Sequence, residues 1–451
     1  MGVEGNLVDI PDGLEKKLGR AASILDDHDK FRLMTHYDAD GISASAVLAR
    51  MVMKYQKGFH TVFIDSFPEE IPDGHPIIFT DIGNSYLDRL SNLEEDVIVL
   101  DHHEVRDTDS NISEGENKVF INPHDHGIDG SQEVSGGTLA LLLAITYDST
   151  NWEETIYALA GAAADKQAIG GFTGLNQEMM RKARDKDHLK KRTGLFIDGE
   201  DVSSALMKAC DPYFPGISGQ RSKIEKILDD IEIDPEAKLE SVNVEKKRKL
   251  NSILVLSLLK RDIGVDVIES IYGTHYVSTY DDKEVDILYK ILNSCARNNR
   301  PGLGLSLCLG DDQAFEEAKE IRESHRREMI DKLNKLEEKV EKKENIQYFY
   351  EEKKTMKGEL AGLGMLYLLD QEKPVLGLAE LDEKVDISAR STKKMVGEGL
   401  DLGDICDRLS KELGGEGGGH DIAAGATIRK GKIDTFLDMM DKEVGKVLGK
   451  G

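Results

Sequence analysis

Four short motifs in the first part of the chain place carboxylate and imidazole side chains directly after apolar runs. The motifs are Thr35-His36-Tyr37-Asp38-Ala39-Asp40-Gly41, Thr80-Asp81-Ile82-Gly83, Asp101-His102-His103 and Ala164-Asp165-Lys166. Oxygen ligands mixed with imidazole suit Mn²⁺, Mg²⁺ or similar ions. Carboxylates that crowd together repel one another, and divalent cations offset that repulsion. The four motifs therefore predict a divalent metal site.

Each motif taken singly has a simpler explanation. An Asp after a strand is usually a turn residue or a helix N-cap, and paired histidines such as His102-His103 also occur in surface turns. Turn chemistry alone would rarely produce four such motifs in one domain. The chain has four cysteines and no C-x-x-C pair, so neither a thiolate zinc site nor a disulfide framework is indicated.

The elements that must position these side chains are short apolar runs separated by helix-length stretches. The runs are Phe31–Met34, Thr61–Ile64, Pro76–Phe79, Val97–Leu100 and Val119–Ile121. This alternation predicts an α/β domain with a parallel sheet covered on both faces. In such sheets the functional residues usually lie at the carboxyl ends of the strands, which is where the motifs lie. Two apolar helices are expected at Thr138–Thr146 and Trp152–Ala164, the second leading into Asp165.

The rest of the chain predicts a helical region and a second, smaller α/β domain. The expected boundaries are 1–190 for the first domain, 191–345 for a helical insertion with a connecting helix, and 346–451 for the last domain. The highly charged segment Asp312–Asn345 is interpreted as a long solvated connector, in preference to a coiled-coil partner helix. The last domain contains strand-like runs at Pro374–Leu378 and Val385–Ser388 and a Gly-rich turn, Gly414–Gly419, before His420.

The charge is strongly acidic and unevenly distributed. The 451 residues include 59 Lys+Arg and 85 Asp+Glu, a net charge of -26, of which -17 falls in residues 1–150. Such a balance usually argues against a nucleic-acid partner, but bound cations would offset part of the charge around the motifs. The longest apolar stretch is too short to span a bilayer and no secretion signal opens the chain, so we expect a cytoplasmic protein with no membrane partner.

The combined motifs resemble a known family. The order His-x-Asp-x-Asp-Gly, Asp-Ile-Gly, Asp-His-His and a downstream Asp resembles the DHH phosphoesterase superfamily. Gly417-Gly418-Gly419-His420 with Ala423-Ala424-Gly425 resembles the associated DHHA1 domain. Leu292–Arg297 followed by Gly302–Leu305 is similar to the RecJ-like nucleases of archaea. The resemblance covers nearly the whole chain and implies a parallel-sheet DHH catalytic domain, a helical insertion with a long connecting helix, and a smaller α/β DHHA1 domain.

The resemblance also implies roles for the motif residues. It implies two divalent ions, with Mn²⁺ preferred and Mg²⁺ as the alternative, held by Asp38, Asp40, Asp81, His102 and Asp165, with Asp81 bridging them. His36 fits a ligand position in relatives that hydrolyse small phosphates, although several RecJ-like exonucleases lack a histidine there. His103 would act in catalysis as a ligand or phosphate contact, and Asp101 would orient the adjacent imidazoles. His124 is expected either to line the pocket or to be a turn residue.

The last domain is expected to bind the substrate. Gly417, Gly418 and Gly419 allow backbone amides to approach a phosphate, and His420, Arg390 and Ser391 would add polar contacts. A Gly-rich segment is otherwise commonly just a loop, and an Arg at a strand end is usually solvated. Lys393 and Lys394 belong either to a strand-binding track or to a solvated face. Residues 351–451 carry 20 Asp+Glu and 16 Lys+Arg, so any single strand would be held by local contacts rather than by a general positive field.

The function implied is a metal-dependent phosphodiesterase. The leading hypothesis is a RecJ-like exonuclease that hydrolyses single-stranded DNA or RNA to mononucleotides in replication or repair. The first alternative is a phosphodiesterase for short oligonucleotides or cyclic dinucleotides, and a manganese-dependent pyrophosphatase matches less well. The second alternative is a replisome scaffold related to a eukaryotic helicase subunit, which the complete ligand set disfavours. A partner such as a GINS-like complex or a repair helicase is compatible with the nuclease hypothesis.

Overall fold

The computed structural model describes residues 8–104, 115 and 117–449. They divide into two compact units. The first takes the chain up to Gly194 together with Tyr272–Arg322, and the second takes Leu195–Ile271 and the chain from Glu323 onward. The helical region expected at 191–345 is thus shared between the two units. Among the helices described, none is both long and apolar enough to cross a membrane.

The elements follow the chain as two lists. The strands are β1 Lys30–His36, β2 Gly58–Ile64, β3 Ile77–Thr80, β4 Val97–Leu100, β5 Lys118–Ile121, β6 Leu189–Leu195, β7 Tyr272–Ser278, β8 Glu341–Lys342, β9 Gln347–Tyr350, β10 Val375–Glu380, β11 Lys384–Arg390, β12 Glu416–Gly419 and β13 Ala423–Arg429. The helices are α1 Asp12–Asp27, α2 Ala39–Lys54, α3 Leu87–Ser91, α4 Gly136–Tyr147, α5 Thr155–Ala164, α6 Gly174–Asp185, α7 Val202–Met207, α8 Arg221–Asp230, α9 Val244–Leu259, α10 Val265–Ile271, α11 Val285–Arg297, α12 Pro301–Cys308, α13 Asp312–Lys339, α14 Lys354–Tyr367, α15 Lys393–Gly397, α16 Leu402–Glu412 and α17 Ile433–Val447.

The first unit contains the predicted parallel sheet, in the order β2-β1-β3-β4-β5. Thr35 lies opposite Thr80, Thr80 opposite Leu100, and Leu100 opposite Ile121. This register brings the carboxyl ends of the four strands into one row. The residue that follows each strand is therefore held at the same edge of the sheet.

The sheet is covered on both faces, as its continuous apolar strands predicted. Leu33, Ile78 and Ile98 pack into the large core that includes α1, α2, α4 and α5. Met34 and Phe79, which point the other way, belong to a smaller core. Because strand side chains alternate between faces, each strand contributes to both cores. Helix α4 is buried along most of its length, and the side chain of its N-cap residue, Ser135, forms a capping box with Thr138.

The second unit is built on a mixed six-stranded sheet, in the order β12-β13-β11-β10-β9-β8. Strands β9 and β10 are parallel, and the other pairs are antiparallel. Its core also includes apolar side chains of α7, α8 and α9, so the insertion helices pack in this unit. The α/β fold, the helical middle region and the mixed-sheet domain confirm the predicted fold class.

Two local predictions were wrong in part. The segment expected to be a long solvated connecting helix does form a long helix, α13, but Ala318, Met329 and Leu333 on this helix are buried in the cores. These buried residues form a narrow apolar stripe, which is difficult to detect in a sequence segment that is mostly charged. The Gly-rich turn expected at Gly414–Gly419 instead contributes the edge strand β12, which pairs with β13. Backbone hydrogen bonding to a neighbouring strand overrides the weak strand preference of glycine there.

Candidate metal centre

The first motif forms the tight connection between β1 and α2. Asp38 is the N-cap of α2, and its Oδ1 accepts a hydrogen bond of 3.0 Å from the Gly41 amide. Its other oxygen, Oδ2, lies 2.9 Å from Nδ1 of His36. Glycine is required at position 41, because a Cβ there would lie 2.1 Å from the His36 carbonyl oxygen. Asp38 is therefore both a helix cap and a candidate ligand, and the two interpretations of its motif are compatible.

Asp40 is held by the first turn of α4. Its Oδ2 accepts a hydrogen bond of 2.6 Å from the Gly136 amide, and its Oδ1 accepts one of 2.9 Å from the Gly137 amide. Free backbone amides at a helix N-terminus favour negative charge. Burial nevertheless raises the pKa of Asp40, and the charge of Asp81 adds to the effect, giving a pKa of about 7. The two amide hydrogen bonds therefore fix the position of the Asp40 carboxyl group but do not fully offset its negative charge.

Asp81 lies at the centre of the arrangement, immediately after β3. Its backbone has a left-handed φ of 59°, which Asp tolerates better than most residues. The side chain is buried, with Oδ1 3.1 Å from Nε2 of His102 and Oδ2 3.5 Å from Nδ1 of His36. Burial acts to raise the pKa of Asp81, but the hydrogen bond from His102 and the nearby His36 outweigh it and hold the pKa well below its ordinary value.

His102 connects the central carboxylate to the others. Its Nδ1 donates a 2.7 Å hydrogen bond to the carbonyl oxygen of Gly130, which orients the ring and leaves Nε2 facing the carboxylates. Besides Asp81, this Nε2 lies 3.4 Å from Oδ2 of Asp165 and 3.6 Å from Oδ2 of Asp40. An imidazole supported by a backbone carbonyl in this way is a common arrangement for a metal ligand.

His103 is oriented by Asp101. Nδ1 of His103 lies 2.8 Å from Oδ1 of Asp101, whose Oδ2 accepts a 2.9 Å hydrogen bond from the Asn84 amide. The hydrogen bond from His103 to Asp101 raises the pKa of His103 above its ordinary value, despite partial burial. The sequence predicted that Asp101 would orient both adjacent imidazoles. The structure shows it bonded to His103, while the Gly130 carbonyl performs that role for His102.

The donor atoms fit divalent cations. They form three overlapping groups, each with ligand atoms within 4.8 Å of one another: Asp81 with His102 and His103, His36 with Asp38 and Asp81, and Asp40 with His102 and Asp165. The pKa values of Asp38 and Asp165 are raised by burial and then by neighbouring carboxylates. Such a concentration of buried negative charge is what bound cations would stabilise. The sharing of Asp81 and His102 between groups is compatible with two neighbouring ions.

The other predicted residue of this unit, His124, lies near His102 without joining these groups. It follows β5 at the start of a 3₁₀ turn, Pro123–His126, and the Asn122 side chain accepts a hydrogen bond from its amide. A Cβ on Gly130 would lie 2.8 Å from Nε2 of His124 and 2.0 Å from the His102 carbonyl oxygen. Glycine at 130 thus allows the two histidine segments to approach, and His124 is both a turn residue and a neighbour of the centre.

The predicted substrate residues of the second unit lie on and beside β11, β12 and β13. Arg390 ends β11, and Ser391 is buried, with its amide bonded to the Ile422 carbonyl. His420 is exposed in the turn between β12 and β13. Gly417 faces α16, since a Cβ there would lie 2.6 Å from the Cys406 carbonyl oxygen. Packing therefore requires a glycine at position 417, whereas Gly418 faces open space.

Several residues that shape the centre escaped the sequence analysis. They are Asn84, Gly130, Gly136, Gly137 and Gly161. The backbone amides of Asn84, Gly136 and Gly137 donate hydrogen bonds to Asp101 or Asp40, and the Gly130 carbonyl accepts one from His102. Gly161 has no side chain and so leaves room for Asp40. The one available signal was Ser135-Gly136-Gly137, a capping serine followed by two small residues at the start of an apolar helix. A backbone carbonyl such as that of Gly130 has no sequence signature.

Comparison with known proteins identifies the family of the chain. Residues 30–164 match the DHH family, N-terminal domain, and residues 344–446 match the DHHA1 domain. An uncharacterized protein of Methanocaldococcus jannaschii is 30% identical over 436 residues, covering 94% of this chain and 95% of that protein. The chain belongs to the DHH phosphoesterase family and carries a DHHA1 domain. It is a metal-dependent phosphoesterase of that family.

Solved structures show a similar fold. RecJ from Thermus thermophilus in complex with Mn²⁺ is 15% identical, with a TM-score of 0.58 over 99% of this chain and 56% of that chain. The chain thus spans little more than half the length of that protein. CDC45 from Entamoeba histolytica is 11% identical, with a TM-score of 0.61, and the match covers 96% of this chain and 98% of that chain. RecJ from the same Thermus species is also known with Mg²⁺.

Proposed function

We propose that this phosphoesterase is a RecJ-like exonuclease that hydrolyses single-stranded DNA or RNA to mononucleotides, in replication or repair. The observation that carries the proposal is the set of three overlapping His/Asp groups at the carboxyl edge of the parallel sheet. A complete donor set, with Asp40, Asp81 and His102 buried, is expected of an enzyme and is not required of a scaffold. The fold shared with RecJ, whose structure contains Mn²⁺, supports the same choice.

The chemistry follows from what the residues can hold and orient. Two divalent ions bound by His36, Asp38, Asp40, Asp81, His102 and Asp165 would supply a water nucleophile at neutral pH and stabilise negative charge on the reacting phosphate. Asp81, central to two of the groups, would keep both positions together. His103 is partly exposed, and Asp101 fixes its Nδ1 side, so its Nε2 is available to donate a hydrogen bond to a phosphate oxygen.

Residues of the DHHA1 domain would bind the rest of the strand. Arg390 offers a planar fork suited to a phosphate, and the amides around Gly418 can approach one without side-chain obstruction. Because the domain has nearly balanced charge, we expect weak binding that falls steeply with added salt. A nanomolar, salt-insensitive complex with a long single strand would contradict this part of the proposal.

The test uses end-labelled DNA and RNA 20-mers, incubated with Mn²⁺ or Mg²⁺, with products read from each labelled end. The proposal predicts mononucleotides released from one end. Asp81→Asn should abolish hydrolysis while leaving the fold intact, and Asp88→Asn, at an exposed acidic residue on α3, is the matched control. Near-normal turnover by the Asp81 variant would contradict the metal-centre assignment.

Two further substrates separate the alternatives. Hydrolysis of a dinucleotide or a cyclic dinucleotide, with the 20-mers left intact, would replace the exonuclease by a phosphodiesterase for short substrates. An absence of hydrolysis of every substrate with either metal would favour a scaffold instead.

A further inference from the structure

A buried glutamine lies just beyond the candidate ligand Asp165. Lys166 has a left-handed φ of 65°, and its amide donates a hydrogen bond to the Ala163 carbonyl. The Gln167 amide donates to the Ala162 carbonyl, which completes a Schellman motif at the end of α5. The side chain of Gln167 is only 3% exposed, so its amide group must find its hydrogen-bond partners inside the protein.

The side-chain amide of Gln167 joins two carbonyls of residues 130–134, the segment that precedes α4. Its Nε2 donates a 3.1 Å hydrogen bond to the Gly130 carbonyl oxygen and a 3.2 Å bond to the Val134 carbonyl oxygen. Its Oε1 accepts a 2.6 Å bond from Nδ2 of Asn176, which is also buried. The reversed orientation would place Oε1 against two carbonyl oxygens, so these bonds fix which way the amide faces.

Other bonds tie segment 130–134 to the start of α6. The Asn176 amide donates a 2.8 Å hydrogen bond to the Glu133 carbonyl. Oγ1 of Thr173 donates a 3.0 Å bond to the Gln132 carbonyl. The connection between α5 and α6 therefore holds most of segment 130–134 by hydrogen bonds to its backbone.

Segment 130–134 in turn supports two candidate ligands. The Gly130 carbonyl oxygen accepts the 2.7 Å bond from Nδ1 of His102 as well as the bond from Gln167. Val134 leads into the first turn of α4, whose amides hold the carboxylate of Asp40. A displacement of this segment would therefore move the groups that orient both ligands.

We propose that Gln167 is a positioning residue that keeps three candidate ligands, Asp40, His102 and Asp165, in fixed positions relative to one another. It holds the segment that orients Asp40 and His102, and its own backbone continues the turn that carries Asp165. The inference rests on the metal centre of the proposed function, and it gives Gln167 a role that needs neither charge nor contact with the substrate. Replacing groups that orient metal ligands typically lowers metal affinity about 10–100-fold.

The test replaces Gln167 by methionine, which has a similar length and no change of charge but cannot donate a hydrogen bond. Gln167→Met should weaken Mn²⁺ binding about 10–100-fold in calorimetric titrations of the full chain. The nitrogen coupling in the EPR spectrum of bound Mn²⁺, which reports imidazole ligation, should also weaken, because the support of His102 is lost.

Gln347→Met is the matched control. Gln347 is buried in the second unit, and its Nε2 donates hydrogen bonds of 2.8 Å to the Asp370 and Lys373 carbonyl oxygens. This variant also loses two bonds from a buried amide to backbone carbonyls, so it should lose comparable stability in urea while binding Mn²⁺ normally. Equal Mn²⁺ affinities for the two methionine variants would mean that Gln167 contributes only to stability, and would overturn the proposal.

The outcomes separate this inference from the proposed function. If Asp81→Asn abolishes hydrolysis but Gln167→Met binds Mn²⁺ as Gln347→Met does, the role of Gln167 is refuted while the nuclease stands. If Gln167→Met weakens Mn²⁺ binding but the unmodified chain does not hydrolyse the 20-mers, the positioning role stands and the nuclease does not. If Gln167→Met fails to fold, Asn176→Leu decides: it should weaken Mn²⁺ binding about threefold, and unchanged affinity would overturn the proposal.

Discussion

Replacing Gly161 by alanine tests the packing that fixes Asp40. Gly161 lies within α5, where a Cβ would sit 2.1 Å from Oδ1 of Asp40 and 3.0 Å from Cβ of Ser43. No real Cβ tolerates an approach of 2.1 Å, so the carboxylate must move. The movement would pull Asp40 away from the amides of Gly136 and Gly137.

Two opposing free energies decide the result. Alanine in a helix interior is favoured over glycine by up to about 1 kcal/mol. Each hydrogen bond to a charged group contributes about 1.5–3 kcal/mol, so losing even one of the two outweighs that gain. We expect Gly161→Ala to lower the free energy of unfolding by about 1–3 kcal/mol overall. Displacing a candidate ligand should also weaken Mn²⁺ binding by roughly 10–100-fold.

Urea unfolding in EDTA and calorimetric titration with Mn²⁺ measure the two effects. Gly19→Ala is the matched control, because Gly19 lies within α1 and a Cβ there would meet no atom within 4 Å. That control should be slightly stabilised and bind Mn²⁺ normally. If Gly161→Ala were as stable as Gly19→Ala and bound Mn²⁺ with unchanged affinity, the inferred role of Asp40 and its support would be wrong.

Three further predictions concern other parts of the chain. Asp101→Asn should reduce turnover about 10–100-fold and lower the free energy of unfolding by about 1–3 kcal/mol, because an amide has only one acceptor oxygen and cannot accept from both His103 and the Asn84 amide; unchanged kinetics would exclude the orienting role. Burial lowers the pKa of Lys357 below its ordinary 10.5. Between the lowered pKa of the folded chain and the ordinary pKa of the unfolded chain, the unfolded chain binds more protons, so the free energy of unfolding rises with pH. Lys357→Met should flatten that rise in urea titrations between pH 8 and 10.5. Gly417→Ala should destabilise the protein by about 2 kcal/mol, because its Cβ would meet α16. Gly425→Ala should be neutral or stabilising, because its Cβ would come no closer than 3.4 Å to another atom. Equal urea midpoints for the two variants would contradict the packing of Gly417 against α16.

Residue types and spacing determined the class of the fold and indicated which residues come together in the candidate metal centre. Short β-branched runs separated by helix-length stretches can bury their apolar surface only as a parallel sheet covered by helices. The motif positions then follow, because the carboxyl ends of such strands share one edge. His36, Asp81 and the Asp101–His103 motif lie at that edge for this reason, and Asp165 follows α5 as the sequence indicated.

Only the tertiary structure decided how those side chains are oriented and which segments pack together. The support of His102 by the Gly130 carbonyl and of Asp40 by two glycine amides depends on backbone groups, which every residue possesses and no motif marks. The packing of α14 against the sheet likewise brings Lys354 and Lys357 of that helix to one carboxylate, Asp386 of β11. The sequence could indicate candidate ligands because side-chain chemistry is local, whereas the geometry of these side chains arises from long-range packing.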